Sequence, residues 1–89
     1  MMYPYIALSD GTEITHSHVM QNGDEREVEV HFERPTESGF ESARCVLPSY
    51  KWILREGYSD EEIQVFTQIL RSNAHLFYKY AESGGLRIA

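Results

Sequence analysis

Cysteine is nearly absent from this chain, with Cys45 as its one representative among 89 residues. No disulfide can therefore form within the chain, which is typical of proteins from a reducing compartment. No apolar run approaches the roughly 18 residues that a membrane-spanning helix requires. The first residues, MMYPYIALSDG, lack the basic start of a signal peptide. These absences favour a cytoplasmic protein that does not enter a membrane.

Positive charge is also scarce. Eight Lys and Arg residues stand against fourteen Asp and Glu, which gives a formal net charge of −6, and the basic residues are scattered along the chain. Nucleic-acid-binding domains normally concentrate basic residues in a patch or stripe that contacts phosphates. We therefore expect no nucleic-acid partner. The 42% of hydrophobic residues is ordinary for a globular protein, and the length predicts a single domain over residues 1–89.

The first half of the chain shows short segments of alternating polarity separated by turn signals. In the clearest segment, Val28, Val30 and Phe32 alternate with charged residues or histidine, which is typical of a strand with one buried face. Asn22-Gly23, just before that segment, is a strong hairpin signal. We predict an antiparallel sheet of three to four strands, at about Tyr3–Leu8, Glu13–Met20, Arg26–Arg34 and Phe40–Leu47.

After Pro48 the pattern becomes helical. Residues 49–56 predict a short helix that ends at Gly57 and packs Trp52 on the sheet. Ser59 and Glu62 have the spacing of a capping box, and an apolar stripe with helical period follows. This predicts a long amphipathic helix at about 60–83 and a tail at 84–89. The expected fold class is α+β, with both helices packed on one face of the sheet.

Three histidines form the most suggestive pattern for a site. A hairpin loop at Asn22-Gly23 or at Gly23-Asp24 gives two registers, and both put the same residues on the outer face of the sheet: His16, His18, His31, Glu27 and Glu29. Imidazole and carboxylate groups are suitable ligands for zinc, so we consider a metal site formed by His16, His18 and His31. The alternative interpretation is a solvated face without any cofactor. Both registers place Thr15, Ser17 and Val19 on the core side.

The segment HSHV in a hairpin, followed by Leu47-Pro48 before the helical half, resembles a small family of uncharacterised bacterial domains. Some members of that family are encoded near toxin–antitoxin genes. The resemblance extends from His16 to about Ser83, and His16 and His18 match the two histidines of the family. This chain lacks the family's Pro-Pro pair and has Ser17 where an aromatic residue is usual. The resemblance implies a fold and no known activity.

Three functions are compatible with these patterns. The leading hypothesis is a non-enzymatic protein-interaction domain that forms a homodimer, because a short sheet with a free edge is readily completed by a partner strand. The second is a metal-binding protein that uses the three histidines. The third is a toxin-like ribonuclease with His31, Arg34 and Arg44 as acid–base and phosphate-binding groups, which the acidity of the chain disfavours. Cys45 is expected to be a buried thiol rather than a nucleophile.

Overall fold

The computed structural model describes residues 1–85 and shows an α+β fold. Five antiparallel strands lie in the order β1-β2-β4-β5-β6, and β3 pairs with β4 beside this path. No helix within residues 1–85 has the length and hydrophobicity needed to span a membrane. The elements are β1 (Met2–Ala7), β2 (Glu13–Ser17), β3 (Met20–Asn22), β4 (Glu25–Thr36), β5 (Gly39–Leu47), β6 (Lys51–Glu56) and α1 (Asp60–Ser83).

The core lies between the sheet and α1. Val28, Val30 and Phe32 of β4 are fully buried, as their alternation predicts. The ring of Phe32 stacks on Phe66 of α1 with the ring centroids 4.3 Å apart. Cys45 of β5 is buried in the same cluster. Because these side chains come from the two central strands, the apolar stripe of α1 covers the middle of the sheet.

The long helix begins at the predicted capping box. The Ser59 hydroxyl accepts a hydrogen bond from the Glu62 backbone N–H at 3.2 Å, and the Glu62 carboxylate accepts one from the Ser59 N–H at 3.0 Å. Gly84 ends the helix with the left-handed backbone (φ 81°) typical of a C-cap. The prediction of a helix at 60–83 is confirmed. The predicted tail at 84–89 lies outside the described residues from position 86 onward.

The short helix predicted at 49–56 is wrong, because this segment is the edge strand β6. A short apolar run between turn signals fits a strand and a helix equally well by periodicity. Here Tyr50 takes a positive φ of 60° and turns the chain back. The following residues can then pair with β5, with Trp52 opposite Cys45. Pairing with β5 supplies backbone hydrogen bonds for this segment. A helix of only two turns would be marginally stable, because helix nucleation is costly and few hydrogen bonds follow it.

The predicted number of three to four strands is also too small. The single strand expected at Glu13–Met20 is divided into β2 and β3 at His18 and Val19. Met20 of β3 lies opposite Glu27, whereas His16 of β2 lies opposite Val30. The stretch from His16 to Met20 therefore contains one residue more than the stretch of β4 that lies opposite it, as in a β-bulge. This extra residue changes which face each β2 side chain occupies.

Candidate interaction surface

His16 lies in the core rather than on the outer face of the sheet. Its side chain is fully buried and is surrounded by the rings of Tyr3, Tyr5 and Phe77 at centroid distances of 5.6, 6.4 and 6.0 Å. The Nδ1 atom is 2.8 Å from the Ser17 carbonyl oxygen. A carbonyl only accepts, so Nδ1 carries the proton. Nε2 is buried and has no hydrogen-bond partner within residues 1–85.

The three predicted histidine ligands do not come together. His18 is exposed at the break between β2 and β3. His31 lies on the outer face, where its Nε2–H donates to the Glu29 carboxylate at 2.7 Å. The register of β2 places Thr15, not His16, opposite His31, so the expectation that all three histidines share a face is wrong. The described part of the chain contains no group of three or more His, Cys, Asp or Glu residues arranged to hold a metal ion.

The sheet separates Arg34 from the other two residues of the ribonuclease hypothesis. His31 and Arg44 are direct cross-strand neighbours on the outer face. Arg34 points to the other face, where its guanidinium contacts three carboxylates, those of Asp10, Glu41 and Glu62. Its hydrogen bond to Glu41 is the main reason that the pKa of Arg34 is raised. Arg34 is thus neutralised by the protein itself and fastens the start of α1 to the sheet.

Cys45 has the properties of a core residue. It is fully buried in the central cluster, and burial raises the pKa of its thiol to about 11. At neutral pH the group is therefore a thiol and not the reactive thiolate. The expectation that Cys45 is buried is confirmed.

The sheet has an outer face that carries mixed polar, charged and apolar groups. The one helix of residues 1–85 packs on the opposite side. The pairing of β4, β5 and β6 places these side chains on the outer face: Glu29, His31, Glu33, Ser42, Arg44, Val46, Lys51, Leu54 and Glu56. Arg44 lies between His31 and Leu54, and its buried Nε has no hydrogen-bond partner in the described chain.

The two edges of the sheet differ in chemistry. The edge strand β1 carries no charge, contains Pro4 and has a bulge between Pro4 and Ile6. Proline and bulges both hinder the addition of another strand. The edge strand β6 also has a bulge, at Ile53, but it contains no proline and carries charged residues at its two ends, Lys51 and Glu56. Within residues 1–85, β6 pairs with β5 alone. This edge is not evident from the sequence pattern, which predicts a helix for the segment.

A shallow groove of about 430 Å³ lies between the turn after β1 and the first half of α1. Leu8, Phe66 and Ile69 contribute apolar surface. Two of its carboxylates, those of Asp10 and Glu62, are already engaged by Arg34. These ion pairs connect the helix to the sheet, so the polar groups of the groove already have a structural role. The outer face and the β6 edge are therefore the better candidates for recognition.

Comparison with known proteins provides no relative from which to transfer a function. No family model matches the chain, and no curated protein or solved structure matches it either.

Proposed function

We propose that this protein is a small cytoplasmic, non-enzymatic interaction domain that associates with a second copy of itself. The observation that carries the proposal is the sheet itself, which is covered by a helix on one face and ends in the edge strand β6, whose outer backbone edge pairs with no other strand of residues 1–85. Such an edge presents a row of N–H and C=O groups to which another strand can bind. The buried thiol of Cys45 fits a reducing compartment.

The distribution of the other polar groups supports a binding role over catalysis. Arg34 is occupied by three carboxylates, Cys45 is a buried thiol, and His16 is enclosed in the core. The accessible groups of the described residues include charged side chains of the outer face and Ile53 at the sheet edge. These groups are suited to contact another surface.

Sedimentation equilibrium of the untagged chain from about 1 μM to about 1 mM tests the proposal. An interface of one strand pair is at the small end of specific interfaces, so we expect weak association with the average mass rising toward that of a dimer as concentration increases. A mass that stays at the monomer value of 10.3 kDa over the whole range would contradict self-association.

A further inference from the structure

Resting on the proposed self-association, we infer that two copies join through antiparallel pairing of their β6 strands, in the one register that matches each charged residue with its opposite. The strand has the sequence KWILRE. In that register Lys51 lies opposite Glu56 of the second copy, Trp52 opposite Arg55, and Ile53 opposite Leu54. A two-fold axis repeats each pair, as in other isologous interfaces.

Direct cross-strand neighbours must share a face of the sheet, and the two outer pairs of the proposed register meet this condition. Lys51 lies opposite Val46 and Glu56 opposite Ser42, so both project from the outer face. Trp52 lies opposite Cys45 and Arg55 opposite Ala43, and these two β5 residues belong to the core. Trp52 and Arg55 therefore share the helix-covered face. Every predicted pair of charged or aromatic residues joins side chains of the same face.

The bulge in β6 makes this match possible. Lys51 and Glu56 are an odd number of positions apart, so a regular strand would direct them to opposite faces. The pairing with β5 shifts at Ile53, which is the extra residue between Trp52 and Leu54. This shift brings Lys51 and Glu56 to one face. Bulges often protect an edge from pairing, but here the bulge makes the two ends of the strand complementary.

The charges select both the orientation and the register. Lys51 and Glu56 make no ion pair within residues 1–85, so both are available to a partner. Parallel pairing in register would place Lys51 opposite Lys51 and Glu56 opposite Glu56, which is unfavourable. Sliding the antiparallel strands by one residue would place outer-face side chains opposite helix-face side chains. The proposed register avoids both conflicts.

The other interactions in the pair are consistent with weak, specific association. Ile53, half exposed in the monomer, would be covered by Leu54 of the second copy. Arg55 is held by Asp60 and by the Tyr58 carbonyl, which positions its guanidinium beside the strand near Trp52 of the second copy. The symmetric arrangement makes one sheet continuous through both copies, with both helices on the same side.

The experiment uses two single charge reversals, Lys51→Glu and Glu56→Lys, in the full chain. Each variant places like charges opposite each other twice in its own dimer. At low salt we expect each to self-associate roughly tenfold more weakly than the wild type, because each pair loses an attraction and gains a repulsion. Added salt should reduce the difference in self-association between each variant and the wild type, because it screens the charges.

Mixing the two variants gives the decisive measurement. Lys51→Glu presents two glutamates and Glu56→Lys presents two lysines, so the mixed dimer is complementary at both ends. We expect sedimentation of an equal mixture to restore association to about the wild-type level. The double variant Lys51→Glu/Glu56→Lys should also recover it. As matched controls, Glu37→Lys and Lys79→Glu reverse exposed charges away from β6 and should change nothing in mixtures or alone.

The possible results separate this inference from the proposed function. If the wild type associates and neither β6 reversal weakens it, or if the mixture fails to recover, pairing through β6 is overturned while self-association stands. If the wild type remains a monomer at every concentration, both are overturned. Circular dichroism and thermal unfolding of each variant verify that the monomer fold is unchanged, as expected for exposed side chains that have no ion-pair partner among residues 1–85.

Discussion

The two faces of the sheet are built from the same strands and differ in almost every other respect. On one face Val30 and Phe32 are fully buried beneath α1. On the other, Glu29 and His31 pair with each other and keep 25% and 12% of their side chains exposed. Neighbouring residues of one strand thus belong to the buried core and to a partly exposed polar face. Substitutions on the two faces should therefore have very different effects on the free energy of unfolding.

The largest loss of stability is expected from Phe32→Ala on the covered face. Phe32 is fully buried and stacked on Phe66, so the change removes apolar contacts and leaves a cavity. We expect a loss of about 3–5 kcal/mol in the free energy of unfolding, measured with urea. If that variant does not fold, Phe32→Leu should show a smaller loss of about 1–2 kcal/mol. A change below about 0.5 kcal/mol in either would mean that the helix does not cover this face.

The start of the covering helix should show the next effect. Ser59→Ala removes the side-chain acceptor of the capping box, and we expect a loss of about 1 kcal/mol. The matched control is Ser72→Ala, at an exposed position inside α1. There alanine should stabilise by a few tenths of a kcal/mol, because it is the better helix former. Equal losses at both serines would show that the cap makes no specific contribution.

Acid should weaken the contacts of Asp10 and Glu62 that connect the start of α1 to the sheet, with a smaller loss of stability. The backbone N–H of Thr12 lowers the pKa of Asp10, and the backbone N–H of Ser59 lowers the pKa of Glu62, with Arg34 adding to both. A lowered folded-state pKa stabilises fully above the unfolded pKa of about 4, and this contribution is lost as the pH falls through the folded-state pKa. Both carboxylates are partly exposed, so solvent limits the effect.

We therefore expect the unfolding free energy to decrease below about pH 5. The decrease should be less steep in the double variant Asp10→Asn/Glu62→Gln, whose amides do not titrate. Urea unfolding at a series of pH values measures both slopes. If the slopes of the wild type and the double variant coincide, these two carboxylates do not contribute to the connection between α1 and the sheet.

The smallest effect is expected on the outer face. Glu29→Ala removes a pair with His31 that is partly exposed to solvent, and we expect the stability to stay within about 0.5 kcal/mol of the wild type. Val30→Ala, one position along the same strand, should cost about 1–3 kcal/mol. Comparable losses at the two positions in dilute monomer would mean that both faces are covered.

Sequence alone is sufficient for the parts of this fold that depend on local pattern. The alternation of Val28, Val30 and Phe32 identifies the buried face of β4, and the pair Ser59–Glu62 locates the start of α1. Both signals lie within a few residues and act through backbone geometry that the segment itself determines. The α+β class follows from them.

The remaining parts depend on pairing between distant segments. His16 was predicted to face outward because both hairpin registers assumed an unbroken strand, and one extra residue near His18 reverses the face. The segment KWILRE was predicted to be helical because its neighbours Pro48 and Gly57 resemble helix ends. Its strand form depends on the free edge of β5, which is not visible from the segment itself.

The extra residue between β2 and β3 has a consequence for how the chain tolerates changes in length. The two strands are aligned to β4 independently, on either side of His18. Removing His18 would leave a regular strand in which His16 still lies opposite Val30 and Met20 opposite Glu27. The same deletion inside β4 would turn Val30 or Phe32 out of the core. A chain without His18 should thus retain cooperative unfolding in urea, and we expect this hairpin to tolerate the loss of one residue.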